Sequence, residues 1–508
     1  MLDKIKRIFS VCCCATLISC ASIAHRDMQD KLVMNLSNKH YHEAIKIANN
    51  KDFLDDKHSV LLRALEQGTT YYFSGKYYQS LQKLDEAQKI ANELFTISVS
   101  NKILSIATNT GLKDYSGDPF ELSLIRFYKS LTNYQLYKIG KYETHVADNG
   151  KIIPEKQLTS EEKISHLRKA RSNIMEWTSL TNSYNNNSKK IIYNTDLLEK
   201  IWGAFVFEEN GSMNDMTRAT AMYKTAKKIL NGEYNILETY NSNSDKFKKN
   251  IAKIDAKNYI IKTDESKTVE QFIDKQINNL SIDKGNNLVI LVNEKNVLPI
   301  KVEKINVPIE YGLLTDTSSD FFNFLVLVMG TNALTSKPPI TPIISVEVPY
   351  MEKPQIANTL IAEIYDVNNT KIKELKLNVI VPISELMYRT YKEKEKFIRT
   401  QLITMTSLKY VTAITTTYAM YKNADSPLLE MAAVASFIAM KKGIDKTSYA
   451  DLRSWRTLPD NIRFTADNLK NGQYTLKIKN IENKAIQEVY SKQFAVNGDD
   501  TTFIEVNL

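Results

Sequence analysis

The strongest constraint on the fold of this chain is a change in the spacing of its apolar residues near residue 284. Before that point, apolar and small residues recur every three or four positions, as in Ala64, Gly68 and Tyr71, and this spacing is typical of amphipathic helices. After it, short runs rich in Val and Ile, such as residues 288–292, predict strands. We therefore expect an α + β multidomain protein, with a helical first half and a β-rich second half.

The clearest helical hairpin in the first half covers residues 61–91. Gly68 would let two antiparallel helices approach closely, and Leu84 would fill the space between them. The pattern resembles the tetratricopeptide repeat, a helical hairpin with a period of roughly 34 residues. Ser80 stands where that repeat usually has alanine. The resemblance implies a stacked array of helical hairpins over residues 20–230.

A stacked array leaves a concave groove, and such grooves bind peptides or protein segments. Tyrosine combines apolar area with a polar tip and is common in binding surfaces. Four tyrosines of the array are therefore candidate partner contacts: Tyr71, Tyr78, Tyr134 and Tyr142. The alternative is packing within the hairpins, where aromatic residues at helical spacing are usually found.

The array is followed by a polar, lysine-rich stretch over residues 231–283, which we interpret as a helical connector. Residues 284–508 form the predicted β-rich domain, with inserted helices over about 384–442 that include one long helix. Strands are predicted over residues 288–292, 298–309, 343–348, 360–365, 372–381, 474–478, 490–496 and 503–508. The apolar segments 321–329 and 428–440 are shorter than the about 20 residues that span a bilayer, and we interpret them as buried segments. The alternative is that they dip into the surface of a membrane.

The first 20 residues have the features of a cleaved export signal. Lys4, Lys6 and Arg7 precede an apolar run over residues 8–18, which has about half the length of a membrane-spanning helix. The run ends in Leu-Ile-Ser-Cys at positions 17–20. This tetrapeptide resembles the lipobox of bacterial lipoproteins.

The lipobox resemblance implies that residues 1–19 are a signal peptide and that Cys20 is the lipid-attachment residue. In that family the cysteine thiol receives a diacylglyceryl group and the new amine is often acylated, for example with palmitate. Several acyl chains together give stable membrane anchorage. Ala21 follows the cysteine, in place of the aspartate that often retains such proteins in the inner membrane. We therefore expect an outer-membrane protein that faces the periplasm, with surface exposure left open.

Composition excludes several classes of chemistry. All four cysteines lie at positions 12, 13, 14 and 20, so the processed chain would have no free thiol for catalysis, disulfides or metal binding. A net charge of +9 over 508 residues is mild, and no basic-aromatic motif predicts a nucleic-acid partner. Gly-rich phosphate loops and recognised catalytic or metal-binding motifs are also missing from the sequence. We predict no cofactor, no metal and no enzymatic activity.

Residues 451–459 bring Arg453, Trp455 and Arg456 together, and Arg and Trp are enriched among interface anchors. These three residues are further candidate partner contacts. The alternative is that they hold the last helix to the sheet through packing and cation–π contacts. With the lipobox, residues 115–121 and residues 287–293, this segment resembles a family of uncharacterised bacterial outer-membrane lipoproteins that have tetratricopeptide-like repeats and a β-rich C-terminal region. That resemblance implies an architecture, and it implies no activity.

These features together predict a lipid-anchored periplasmic adaptor that binds other envelope proteins through its helical-repeat groove. The alternative function is an envelope protein that binds or cleaves peptidoglycan. A pair of carboxylates would serve glycan cleavage, and sequence spacing alone does not show which carboxylates meet in space.

Overall fold

The computed structural model describes residues 18–100, 114–146, 150–186, 197–209, 211–230, 263–282, 287–309, 318–336, 341–354, 358–448, 450–482, 485–497 and 500–508. Within them the protein is mixed α/β, with a helical N-terminal region and a β-rich C-terminal sheet. This confirms the predicted change from helix to strand. Residues 1–17 of the predicted leader and residues 231–262 of the predicted connector lie outside the described residues.

Nine helices are described in the first half of the chain. They are α1 (Ile18–Ser37), α2 (Tyr41–Ala48), α3 (Val60–Phe73), α4 (Tyr77–Ser100), α5 (Pro119–Ile139), α6 (Ser160–Asn186), α7 (Leu197–Glu208), α8 (Met213–Leu230) and α9 (Thr263–Ile282). Each helix packs against the next one along the chain. The odd-numbered helices α1, α7 and α9 also contact strands of the C-terminal half, so this side of the helical region is its inner face.

The close approach of α3 and α4 depends on Gly68. A Cβ atom at this position would lie only 2.8 Å from Cδ2 of Leu84, so a larger residue would push the helices apart. Ser80 is completely buried between them, and its hydroxyl donates a hydrogen bond to the Gly68 carbonyl oxygen at 2.8 Å. Ser80 is therefore accommodated in this tight contact because its polar atom has a partner.

Two features of the helical region differ from the expectations. The polar composition of residues 181–190, which include three consecutive asparagines, predicts an exposed loop, but α6 continues to Asn186. Thr181 is buried there, and its hydroxyl donates to Oε2 of Glu199 at 3.2 Å. Between α5 and α6 the chain also forms two short ribbons that were not predicted. They pair β1 (Lys141–Tyr142) with β4 (Lys156–Gln157) and β2 (His145–Val146) with β3 (Ile152–Ile153).

Seven strands form the main sheet, which curls into a near-barrel. In spatial order they are β12 (Ala485–Val496), β11 (Gly472–Glu482), β8 (Asn358–Tyr365), β9 (Lys371–Pro382), β10 (Pro459–Asp467), β5 (Leu288–Asn296) and β13 (Thr502–Asn507). All neighbours are antiparallel except β5 and β13, which are parallel. Leu288 and Ile290 point into the curl, whereas Val289 and Leu291 pack against the helices. Burial on both faces explains the unbroken apolar run of β5.

A second, separate core lies beside this sheet, and we call the elements around it the side module. They are β6 (Lys301–Pro308), α10 (Ser319–Met329), the 3₁₀ turn Thr331–Ala333, β7 (Ile343–Tyr350), the second half of α11 (Ile383–Lys422) and α12 (Pro427–Thr447). The 40-residue α11 is about 60 Å long and joins the side module to the main body.

The expectation that residues 428–440 are buried is wrong for most of α12. Ala433 and Phe437 are buried, but Leu428 is 76% exposed and Met431 is 69% exposed. The reason is that α12 lies at the surface of the side module, where only one side of the helix meets α10 and α11. Among the described residues, none of the helices combines the length and the apolar character needed to cross a bilayer.

The strand β10 was not predicted because it carries polar residues that are buried. Arg463 is completely buried inside the curl, where its Nε donates to Oε2 of Glu294 on β5 at 2.8 Å. Its other nitrogens donate to the backbone carbonyls of Leu377 and Asn358. The guanidinium is therefore paired and hydrogen-bonded, as a buried charge must be.

Removal of Glu294 should strongly destabilise the protein because it leaves the buried Arg463 charge without its carboxylate. For Glu294→Ala we expect the free energy of unfolding to fall by about 3–5 kcal/mol. The control is Glu347→Ala, which removes the exposed ion pair between Lys304 and Glu347 and should cost at most about 1 kcal/mol. Urea unfolding followed by circular dichroism measures both variants. Equal losses would contradict the assignment of a structural role to Arg463.

Candidate functional site

The inner face of the helical region is covered by the chain's own residues 451–458, which we call the inserted segment. This segment connects α12 to β10 and crosses α1, α3 and α5. It contains all three of the predicted contacts from the second half: Arg453, Trp455 and Arg456. Their surroundings show what the segment does in the fold.

Trp455 fills the space between α3 and α5. Its side chain is 1% exposed, and the indole N–H donates to Oγ1 of Thr69 at 3.0 Å. The indole ring lies 6.0 Å from the ring of Tyr128, measured between centroids. Since a buried tryptophan needs both apolar surroundings and a partner for its N–H, this position meets both needs within the chain.

The carboxylate of Glu66, at the middle of α3, binds the backbone of the inserted segment. It accepts hydrogen bonds from the backbone N–H groups of Arg456 at 2.8 Å and Thr457 at 3.1 Å, and from the Thr457 hydroxyl at 2.6 Å. Gln29 of α1 donates to the same carboxylate at 2.8 Å. Burial raises the pKa of Glu66, and these hydrogen bonds act in the opposite direction. A side chain of the helical region therefore holds the backbone of a turn in the inserted segment.

The two arginines lie at the edges of the inserted segment. Arg453 forms a two-point ion pair with Asp451 and donates to the backbone carbonyl of His58 at 2.8 Å. Its guanidinium also lies 5.9 Å from the ring centre of Tyr115. Arg456 is 8% exposed and pairs with Asp30 of α1 at 3.0 Å. Both arginines therefore contact the helical region of the same chain.

Strand β13 covers the inner face further along. Phe503 packs its ring against Tyr134 and Trp202, with centroid distances of 5.2 and 5.9 Å. Glu505 accepts hydrogen bonds from the Tyr72 hydroxyl at 2.5 Å and from Gln135 at 2.7 Å. The inner face from α1 to α7 is thus in contact with the C-terminal half.

Two of the predicted array tyrosines belong to these internal contacts. Tyr134 is completely buried, and its hydroxyl donates to Glu209 at 3.1 Å. Tyr71 is 7% exposed and exchanges hydrogen bonds with the side chain of Asn49 on the loop after α2. In this conformation neither ring offers much surface to another molecule.

The other two predicted tyrosines meet at the ribbons between α5 and α6. The rings of Tyr78 and Tyr142 lie 4.5 Å apart, and the ring of His145 lies 4.7 Å from that of Tyr78. All three are partly exposed. Next to them, Val146 and Ile152 are direct cross-strand partners and are 59% and 67% exposed. We call these five residues the ribbon patch.

A buried hydrogen-bond chain fixes the orientation of Tyr142. Asn133 donates through Nδ2 to the carbonyl of Lys129, so its Oδ1 faces Nδ1 of His166 at 2.8 Å. Burial lowers the pKa of His166 to about 4, which makes this ring neutral at pH 7. Nδ1 therefore donates to Asn133, and Nε2 accepts from the Tyr142 hydroxyl at 2.8 Å. Hydrogen bonds from Asn133 through His166 to Tyr142 therefore hold one ring of the ribbon patch in place.

The side module contains a cavity of about 440 Å³ whose lining is both polar and apolar. Side chains around it include Lys304, Asn332, Glu347, Tyr410, Lys441 and Asp445. Lys304 pairs with Glu347 at 3.4 Å, and the Tyr410 hydroxyl donates to Asp445 at 2.7 Å. A volume of this size accommodates a small polar ligand. Among the described residues, no group of three His, Cys, Asp or Glu side chains is arranged to hold a metal ion.

Sequence reasoning missed the carboxylates Glu66, Glu121 and Glu505. Glutamates at helical or strand positions normally indicate a solvated face, and these three have partners more than 300 positions away along the chain. The one local signal is at Glu121, which completes a capping box with Asp118 at the start of α5. The carboxylate of Glu121 also accepts hydrogen bonds from the Tyr115 hydroxyl at 2.6 Å and from the backbone N–H of Trp455 at 3.4 Å.

The pH dependence of stability should report on the buried Glu121. Burial, with a smaller contribution from the neighbouring Asp118, raises the pKa of Glu121 to about 7. The folded protein therefore holds this proton between about pH 4.5 and 7, where the unfolded chain releases it, so stability falls as pH rises through that window. In Glu121→Gln this loss should shrink by roughly 1–3 kcal/mol, measured as unfolding free energies at pH 5 and pH 7. Glu86→Gln, at an exposed position, is the control, and an unchanged slope in Glu121→Gln would contradict the assignment.

No protein-family model, no curated protein and no solved structure matches the chain. The expected membership of a lipoprotein family, based on the lipobox, residues 115–121 and the Arg453–Trp455 cluster, therefore stays a prediction. The internal contacts of the inserted segment and the accessible ribbon patch are the features on which a function can be argued.

Proposed function

We propose that this protein is a lipid-anchored envelope adaptor that holds a protein partner at its ribbon patch. The observation that carries the proposal is the accessible cluster of Tyr78, Tyr142 and His145 beside the exposed pair Val146 and Ile152. Aromatic side chains next to exposed apolar residues are typical of protein interfaces. The partner we expect is a segment of another envelope protein.

The helical region, in this proposal, is a tetratricopeptide-like array. The support is the α3–α4 hairpin, in which Gly68 permits the contact with Leu84 and Ser80 occupies the usual alanine position. Arrays of this kind bind extended segments on their inner face. Here the inserted segment occupies that face through Glu66 and Trp455, so we propose that the partner binds at the ribbons on the edge of the array instead.

The membrane anchor is the second part of the proposal. Its support is the export signal over residues 1–19 and the lipobox that ends at Cys20. The proposed location is the outer membrane, with the protein facing the periplasm. A rigid body held at a membrane by acyl chains concentrates a bound partner there, which raises its effective concentration for a second contact.

The cavity of the side module favours a second candidate function, binding of an envelope glycan. Its lining of amide, hydroxyl and charged groups from Asn332, Tyr410 and Lys441 suits a polyhydroxylated ligand better than an apolar one. Peptidoglycan fragments are the ligand class that the proposed location would supply. Cleavage activity has less support, because the carboxylates Glu347 and Asp445 at this cavity are engaged with Lys304 and Tyr410.

Acylation of Cys20 is directly testable in cells. We expect metabolic labelling with palmitate to mark the wild-type protein and to disappear in Cys20→Ala, because the thiol at this position is the proposed attachment point. Cys12→Ala is the matched control, since it removes a cysteine of the leader and should leave the labelling intact. Label that survives Cys20→Ala, or an unmodified mature N-terminus in mass spectrometry, would overturn the anchor.

Site-specific crosslinking tests the ribbon patch. A photoreactive amino acid at Val146 or Ile152 should crosslink to a discrete envelope protein, and Tyr78→Ala with Tyr142→Ala should reduce the yield severalfold. Met213, which is 86% exposed on the same array, is the control position and should give no specific product. Equal crosslinking at Met213 would argue against the adaptor. Cosedimentation with peptidoglycan that Lys441→Ala abolishes, without a protein crosslink, would favour the glycan-binding alternative.

A further inference from the structure

The outer side of α12 carries a continuous apolar stripe. Its exposed residues follow the three- and four-residue spacing of one helix face: Leu428, Met431, Ala432, Ala435, Ile438 and Ala439. Leu428, Met431 and Ile438 are 76%, 69% and 46% exposed. One more turn along the same face stands Lys442, which is also exposed. A stripe of this length is more than the single apolar residues that are normal at a protein surface.

The charges around the stripe are arranged for one kind of partner. Of the two acidic residues of α12, Glu430 lies off the stripe by helical spacing. Asp445 follows Ile438 by seven residues, at the C-terminal end of the stripe, and accepts a hydrogen bond from Tyr410. Lys441 and Lys442 also stand at this end. An apolar helix face bordered by lysines is the pattern of helices that lie in the headgroup region of a bilayer with anionic lipids.

The neighbouring helix α11 also has exposed apolar residues. Over residues 402–420, Lys409 is the only charged residue of α11. Leu408 and Met420, on its outer side, are 51% and 42% exposed. The side module therefore offers exposed apolar groups on two adjacent helices.

The position of α12 relative to the N-terminus decides which partner we infer. The helix α1 begins at Ile18, includes Cys20 and packs against α12. The helix α1 has 20 residues and is about 30 Å long, so anchorage through Cys20 would hold the part of α12 that packs on α1 within about 30 Å of the bilayer. An apolar stripe held near a membrane meets lipid before it meets any other apolar surface.

We infer that the stripe of α12 lies in the headgroup region of the membrane that holds Cys20, so that the protein contacts the phospholipid bilayer at two places. This inference rests on the proposed acyl anchor and deepens it. Two contacts, one through acyl chains and one through a helix face, fix the orientation of the protein on the membrane. A single flexible anchor would leave it free to rotate.

A fluorescent label placed on the stripe tests the inference. With Cys20 acylated and residues 1–19 removed, Met431→Cys provides a single site for an environment-sensitive fluorophore. The acylated protein is reconstituted into vesicles of phosphatidylethanolamine and phosphatidylglycerol that carry bromine on their acyl chains. We expect a blue shift and loss of most of the fluorescence at position 431. Val367→Cys, at an exposed apolar position of the turn between β8 and β9, is the matched control and should show neither change.

Aspartate substitutions in the apolar stripe of α12 should abolish the fluorescence quenching. Leu428→Asp together with Ile438→Asp should remove the quenching at position 431, while the acyl chains keep the protein on the vesicles. Val367→Asp should leave the quenching unchanged. Equal signals at positions 431 and 367 on bound protein would overturn the inference. A blue shift at position 431 that needs no lipid and grows with protein concentration would also overturn it, because a second copy would then cover the stripe.

The acylation of Cys20 and the membrane contact of α12 can be disproved independently. Palmitate labelling reports on Cys20 alone. If that labelling is absent, the same measurement on a Cys20→Ala chain, tethered through an N-terminal hexahistidine tag to nickel-chelating lipid, still tests α12. Quenching at position 431 in the tethered protein supports the membrane contact, and its absence there refutes it.

Discussion

The structure depends on the hydrogen bonds between one helical carboxylate and the backbone of a turn that is distant in sequence. Glu66, buried in α3, accepts from the N–H groups of Arg456 and Thr457, and Trp455 inserts beside it between α3 and α5. Backbone N–H groups in a buried segment need hydrogen-bond acceptors, and the backbone N–H of Trp455 donates to Glu121. The helical half therefore supplies the acceptors that let residues 451–458 be buried, and these residues supply the apolar groups that fill the inner face.

Because the inserted segment and the helical half stabilise each other, a partner protein cannot bind at the inner face. An inner face that is covered by a buried tryptophan of the same chain is a structural interface. Displacing the inserted segment would expose apolar surface and would remove three hydrogen-bond donors from Glu66. The surfaces left for other molecules are those that the fold does not need for itself. The ribbon patch and the outer side of α12 are such surfaces, and they lie on different parts of the molecule, so a membrane contact at one is compatible with protein binding at the other.

Local sequence patterns predicted the elements well wherever burial agreed with apolar character. The eight predicted strands are all present, and the long helix and the hairpin around Gly68 are too. The failures at β10 and at the inner face share a cause, which is polar residues whose partners are distant in sequence. β10 was missed because Arg463 breaks its apolar pattern, and only Glu294, far away in the chain, makes that burial acceptable. Trp455 and Tyr134 were predicted as partner contacts, but both are buried where the helical region meets the C-terminal half. Sequence spacing does not show which parts of a chain pack together.

Strand β13 has a consequence for the order in which the molecule is assembled. Its residues 502–507 pair in parallel with β5, more than 200 positions earlier, and they supply Phe503 to the aromatic cluster of the first half. Synthesis proceeds from the N-terminal side, so the inner face of the nascent helices stays uncovered until residues 502–507 have emerged. A chain truncated before residue 499 would lack both strand β13 and part of the helical core, and quality-control proteases would encounter an incompletely folded protein.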